Sequence, residues 1–122
     1  MTDSVQAEKN PKDRRRVPRF PFVANAEIIE TDSGTKTPVR TSDLSLYGCY
    51  IRLSNALPCG THVLIKIFAD TDFFEAPATV VYSQTNQGNG LSFHDVKPHF
   101  LPTLQKWLSQ AMKELTKASK ES

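Results

Sequence analysis

From residue 22 onward the chain alternates apolar and polar side chains in short runs rich in β-branched and aromatic residues, separated by turn formers. This spacing fits a β-barrel or a β-sandwich. Six strands are predicted, at 22–31, 35–43, 48–53, 62–68, 73–84 and 91–94. Between them lie Thr31-Asp32-Ser33-Gly34, Leu57-Pro58-Cys59-Gly60, the corner Asp70-Thr71-Asp72 and Asn86-Gln87-Gly88-Asn89-Gly90, which reads as a hairpin turn. Pro38 cannot donate to a ladder, so part of the second strand should lie at an edge or carry a bulge. In the third strand Cys49, Ile51 and Leu53 share one face, with Tyr50 and Arg52 on the other. In the fourth, Val63, Ile65 and Ile67 alternate with Leu64, Lys66 and Phe68, apolar enough on both faces for a central or helix-covered strand. Past Pro98 and Pro102 the period changes. Leu104, Leu108, Ala111, Met112 and Leu115, with Trp107 beside them, fall at helical spacing, which predicts an amphipathic helix over 99–116 docked on the strands.

A chain of 122 residues holds one domain. Residues 1–13 are polar and aperiodic and read as a flexible tail, and 117–122 should fray. Between tail and first strand, Pro18 and Pro21 fix their own φ and bias the preceding residues to extended backbone, so 14–21 forms an extended arm. The domain is therefore expected over 14–116, with the strands in 22–94. No run approaches the roughly 18 apolar residues of a membrane span, and the start lacks the apolar centre of a signal peptide. A cytoplasmic protein without membrane insertion is expected. Cys49 and Cys59 form no CxxC pair and are expected as buried or half-buried thiols.

Charge placement says more than charge size. Six basic against three acidic side chains give residues 1–21 a charge of +3, so in a chain of net +2 the remainder carries −1. A basic arm on a near-neutral body suits a small anionic partner better than a long nucleic-acid groove, and no specific nucleic-acid binding is expected. Enzyme chemistry finds little support. His62, His94 and His99 lack metal-ligand spacing, Ser45 has no nucleophile-elbow glycines, and no GxxxxGK[ST] loop occurs.

Two polar clusters bracket the first two strands: Arg14-Arg15-Arg16-Val17-Pro18-Arg19 and Asp43-Leu44-Ser45-Leu46-Tyr47-Gly48. An arginine fork matches phosphate oxygens and the O6/N7 edge of guanine, and Arg15 and Arg19 on extended backbone place their heads up to about 13 Å apart. By itself the run also reads as a solvated tail. Asp43, Ser45 and Gly48 read as a strand end and tight turn, or as a guanine site in which the Asp43 carboxylate accepts from N1 and N2, Ser45 adds a hydroxyl and Gly48 admits a close approach.

Together, Arg15-Arg16-Val17-Pro18-Arg19 and Asp43-Leu44-Ser45-Leu46-Tyr47-Gly48, followed by Gly90-Leu91-Ser92-Phe93, resemble the PilZ domain family from about Arg14 to Phe93. Its members bind cyclic di-GMP through RxxxR in an N-terminal loop and [D/N]xSxxG on the barrel. The resemblance implies a mainly β fold: a six-stranded antiparallel PilZ-type β-barrel at 22–94, one C-terminal α-helix and an extended N-terminal arm. It also implies that Arg15 and Arg19 grip the ligand with Arg14 as an auxiliary contact, that Asp43 and Ser45 read guanine, and that Gly48 shapes the turn. Arg16, Val17, Pro18, Leu44, Leu46 and Tyr47 fall at unspecified positions and inherit no role. The function implied is that of a bacterial second-messenger receptor or adaptor, not an enzyme and without a cofactor, monomeric or homodimeric. Its arm would become ordered on cyclic di-GMP, and it would signal to a downstream protein partner. The alternative is a degenerate module of the same fold that docks a partner without binding the nucleotide. Such members typically lack some motif residues, whereas both motifs are complete here.

Overall fold

The computed structural model describes residues 18–121, with side chains as far as Thr116; the expected tail at 1–13 and Arg14, Arg15 and Arg16 of the arm lie outside the described residues. The strands are β1 (Phe20–Pro21), β2 (Asn25–Glu30), β3 (Lys36–Leu44), β4 (Gly48–Arg52), β5 (His62–Ala69), β6 (Asp72–Gln84) and β7 (Gly88–Phe93). All pairings are antiparallel. Strand β3 pairs with β2 on one side and β4 on the other, so the order β3-β2-β5-β6-β7-β4 returns on itself as a closed six-stranded barrel. Closure removes the free edges that a flat sheet would expose. A 3-10 turn (Pro98–Phe100) leads into helix α1 (Leu101–Glu121). No helix among the described residues is long and apolar enough to cross a membrane.

Strict two-residue alternation sends Ile28, Ile51, Val63, Ile65, Ile67, Phe74 and Val80 into the barrel. Burial of each such side chain contributes about 1.5–3 kcal/mol. The helix adds Leu104 and Trp107, both essentially fully buried, and Ala111. Phe100 caps the same core, edge-on to Phe74 at 5.9 Å between ring centroids. A 2.7 Å contact from Lys106 Nζ to Asp72 Oδ2 ties the helix to the β5–β6 turn; that hydrogen bond, first, and the charge of Asp72 push the Lys106 pKa up.

Several expectations need correction. The first full strand starts at Asn25 rather than 22, because the backbone of Phe22 to Ala24 bonds to β3 and to the Thr41 side chain instead of to β5. The last strand starts at Gly88 rather than 91. Its turn is tighter than the sequence suggested, with Gln87 N donating to Gln84 O and Asn86 at φ 62°. Asn89, assigned to that turn, is fully buried, accepting from Leu57 N and donating to the carbonyls of Leu57 and Tyr82. Strand β5 is not apolar on both faces in effect, since Phe68 stays exposed and Leu64 half-buried. On the helix Met112 and Leu115 are half exposed rather than docked. Cys49 is buried, but Cys59 is exposed in its turn. Pro38 behaves as expected, because β4 pairing begins at Arg40 and leaves Pro38 a partner strand on one side only.

Candidate functional site

The second motif straddles the end of β3, the turn after it and the first residue of β4. A bulge between Thr41 and Asp43 shifts the register, so that Thr41 and Leu44 point inward while Asp43, opposite Tyr50, stands on the outer face. Ser45 then closes the turn. Its Oγ accepts from Tyr47 N at 3.2 Å and Gly48 N at 3.1 Å and donates to Gly48 O at 3.2 Å, while its own N donates to the same carbonyl at 2.8 Å. The Ser45 hydroxyl thus faces the turn's own backbone and shapes the loop that carries Leu46 and Tyr47 outward.

Gly48 is needed for space rather than for left-handed backbone. A Cβ there would fall on the Leu91 carbonyl oxygen of β7, so the close β4–β7 approach at the mouth of the site requires glycine.

The arm reaches this wall through β1. Phe20 pairs with Leu44 and Pro21 with Asp43, and Phe22 N donates to Ser42 O at 3.0 Å. Arg19, the last residue of the first motif, is exposed and immediately precedes this ladder, one step beyond its Phe20–Leu44 rung and two from the Pro21–Asp43 rung. The electrostatics agree. Burial, first, and the nearby Asp43 carboxylate push the Cys49 thiol from 9.0 up to about 12, and the Arg19 guanidinium opposes them, so both charges act on one buried atom. Arg15 and Arg14 are not among the described residues.

Asp43 Oδ1 is buried with no hydrogen-bond partner among the described residues. A buried acceptor left unsatisfied costs about 1–3 kcal/mol, so this oxygen is a ready acceptor for an N–H donor that the described chain does not supply. Across the sheet the same outer row continues from Asp43 through Tyr50 and Gly90 to Tyr82. The two tyrosine rings lie 6.4 Å apart over the bare glycine, and Tyr50 Oη donates to Gln84 Oε1. Burial, first, then Tyr82 and Asp43 push the Tyr50 phenol up, with Arg52 opposing.

Two contributors escaped the sequence reading. Thr41 Oγ1 donates to Phe22 O at 2.5 Å and accepts from Ala24 N at 3.0 Å, clamping the root of the arm to β3. The sequence offers only a threonine two residues ahead of Asp43, and its two partners lie seventeen and nineteen residues upstream. The Tyr50–Tyr82 row depends on a cross-strand register that one strand's alternation does not reveal. No cluster of three or more potential metal ligands occurs among the described residues.

The family model of the PilZ domain matches residues 13–110. A search of curated proteins returns no significant match. Among solved structures, the PilZ domain of YcgR from Escherichia coli with c-di-GMP is similar at TM-score 0.70 and 18% identity, over 89% of this chain and 99% of that one. YcgR from Escherichia coli in complex with c-di-GMP gives TM-score 0.71 at 20% identity, over 88% of this chain but 50% of that one. The PilZ domain of CeSA from a cellulose-synthesizing bacterium gives 0.57 at 20% identity, over 79% and 96%. At these identities the likeness is one of fold.

Proposed function

The chain belongs to the PilZ domain family, and on that premise we propose that it is a cyclic di-GMP receptor whose ligand is held between the arginine arm and the outer wall at Asp43. The observation that carries this reading is the β1 ladder. Pairing Phe20 and Pro21 with Leu44 and Asp43 brings the end of Arg15-Arg16-Val17-Pro18-Arg19 to the start of Asp43-Leu44-Ser45-Leu46-Tyr47-Gly48.

In this reading Arg15 and Arg19, with Arg14 as auxiliary, meet the phosphates and the Hoogsteen edge of a guanine, and the unpartnered Asp43 Oδ1 accepts from its opposite edge. Ser45 and Gly48 hold the turn geometry that makes this edge available. Tyr50 and Tyr82 offer an aromatic face for a base. Charge-assisted contacts of this type contribute about 1.5–3 kcal/mol each before the cost of ordering the arm. The arm gains order on binding, and the change passes to a protein partner through the helix on which the root of the arm rests.

In this reading the role is that of a receptor or adaptor rather than a catalyst. Equilibrium dialysis with labelled cyclic di-GMP tests it. Retention by the wild type, loss in Arg19→Ala and in Asp43→Ala, and no displacement by excess GTP or bulk RNA are expected. Equal retention by all three proteins would overturn the assignment of the site, and no retention by the wild type would leave a partner-docking barrel instead.

A further inference from the structure

We propose that Arg40 and Arg52 form a second phosphate-binding subsite on the outside of the barrel, one row of the sheet away from Asp43. The inference rests on the receptor reading above for its ligand but not for its geometry. Arg40 of β3 and Arg52 of β4 are direct register partners, and both are exposed. Like charges directly opposite each other across two strands repel and destabilise the pair. The usual remedy is an interleaved carboxylate, and neither guanidinium has one within 4.0 Å among the described residues, where the only ion pairs are Lys66–Glu75 and Lys106–Asp72. An anion between the two forks would turn the repulsion into two charge-assisted contacts.

The surface there has the shape to receive one. Arg40 and Arg52 line an open groove of about 600 Å³ together with Val23, Asn25, Thr41 and Ser42. Reading across the sheet, the row runs Asn25, Arg40, Arg52, Gly88. It therefore offers an amide and two guanidinium forks, with Gly88, which has no side chain, beside them and Gln84 of β6 next in the row.

The neighbouring row is Asp43, Tyr50, Gly90, Tyr82, and Tyr50 and Arg52 are two residues apart on β4, about 7 Å along the strand. A cyclic dinucleotide whose guanine sits at Asp43 spans that distance, so a phosphodiester of the same molecule, or of a second copy stacked on it, reaches the Arg40–Arg52 forks. The arm and the groove then grip different phosphates, with Val23 and Ser42 lining the groove next to the root of the arm.

The test compares wild type with an Arg40→Gln/Arg52→Gln variant, titrated with cyclic di-GMP and, separately, with inorganic pyrophosphate. Both side chains lie on the outer face, so the ligand-free Tm of the variant should be unchanged or higher, because a like-charge pair has been removed. An Arg52→Gln single variant provides the same readings if the double one fails to fold. The expected result is a loss of about tenfold in cyclic di-GMP affinity with a shallower salt dependence, or a stoichiometry reduced by one copy. Pyrophosphate binding present in wild type and lost in the variant, with cyclic di-GMP unchanged, identifies the subsite as one for a free phosphate ligand. It does so even if cyclic di-GMP does not bind at all. Identical cyclic di-GMP titrations together with identical or absent pyrophosphate binding would overturn the subsite.

Discussion

Phe22 stacks on Trp107 with ring centroids 5.3 Å apart and ring planes at 27°. Phe22 directly follows β1, by which the arginine arm joins the barrel, and Trp107 is the fully buried centre of the helix face. The segment expected to move on ligand binding is thus in van der Waals contact with the element best placed to pass a change onward.

Trp107 is the only tryptophan, so its emission is a direct reporter of that contact. Titration with cyclic di-GMP should change its intensity or wavelength saturably, and Phe22→Leu, which keeps apolar volume but removes the stack, should abolish most of the change. Fluorescence that stays constant through saturation, with binding confirmed independently, would uncouple arm and helix.

Thr41→Val preserves shape while removing the hydroxyl that joins Phe22 O and Ala24 N. Two backbone groups lose their partner, one of them in a buried bond, and a cost of about 1–3 kcal/mol is expected, read by urea denaturation. Because the clamp holds the root of the arm, affinity for cyclic di-GMP should fall as well. Unchanged stability and affinity would make Thr41 a bystander.

Gly48→Ala and Gly34→Ala separate two reasons for glycine. At Gly34, φ is +74° and the space that an added methyl group would take is open, so alanine should cost only about 1–2 kcal/mol of left-handed strain. At Gly48 the added carbon meets the Leu91 carbonyl, which must move for β4 to pair with β7. A much larger loss, seen as poor folding or a Tm drop well beyond that of Gly34→Ala, is the expected outcome of parallel thermal melts.

Cys49 gives a pH signature with a definite sign. Its thiol is raised from 9.0 to about 12 in the folded chain, so well below pH 9 both states are protonated and the group adds no pH dependence. Between about 9 and 12 only the unfolded state ionises and binds fewer protons, so stability falls with rising pH, by at most about 1.4 kcal/mol per unit. Cys49→Ala should flatten that slope in denaturation curves measured across the window. In the native protein a thiol reagent should label the exposed Cys59 at once and Cys49 only after unfolding.

The alternation of Cys49, Tyr50, Ile51 and Arg52 was legible because period two survives in a strand whose inner face is the core. The helix stripe was legible as far as Ala111, where contact with the barrel ends; Met112 and Leu115 continue the pattern but lie beyond the surface it packs on. The string Gly88-Asn89-Gly90 misled because glycine and asparagine are turn residues by local preference. Here the glycines admit close neighbours, Ile51 O and the Tyr82 ring, and Asn89 bonds a distant loop. At the site, residue types announced Arg19, Asp43, Ser45 and Gly48. The inward hydroxyl of Ser45, the Thr41 clamp and the Arg40–Arg52 rung depend on turn geometry and register, which arise only when separate strands meet.

Whether arm and wall together bind cyclic di-GMP is decided by isothermal titration into the wild type and into a folded Arg15→Ala/Arg19→Ala variant. Saturable heat is expected with the wild type, giving affinity and stoichiometry in one experiment, and none with the variant. Equal heat with both proteins, or none with the wild type, would refute binding by arm and wall.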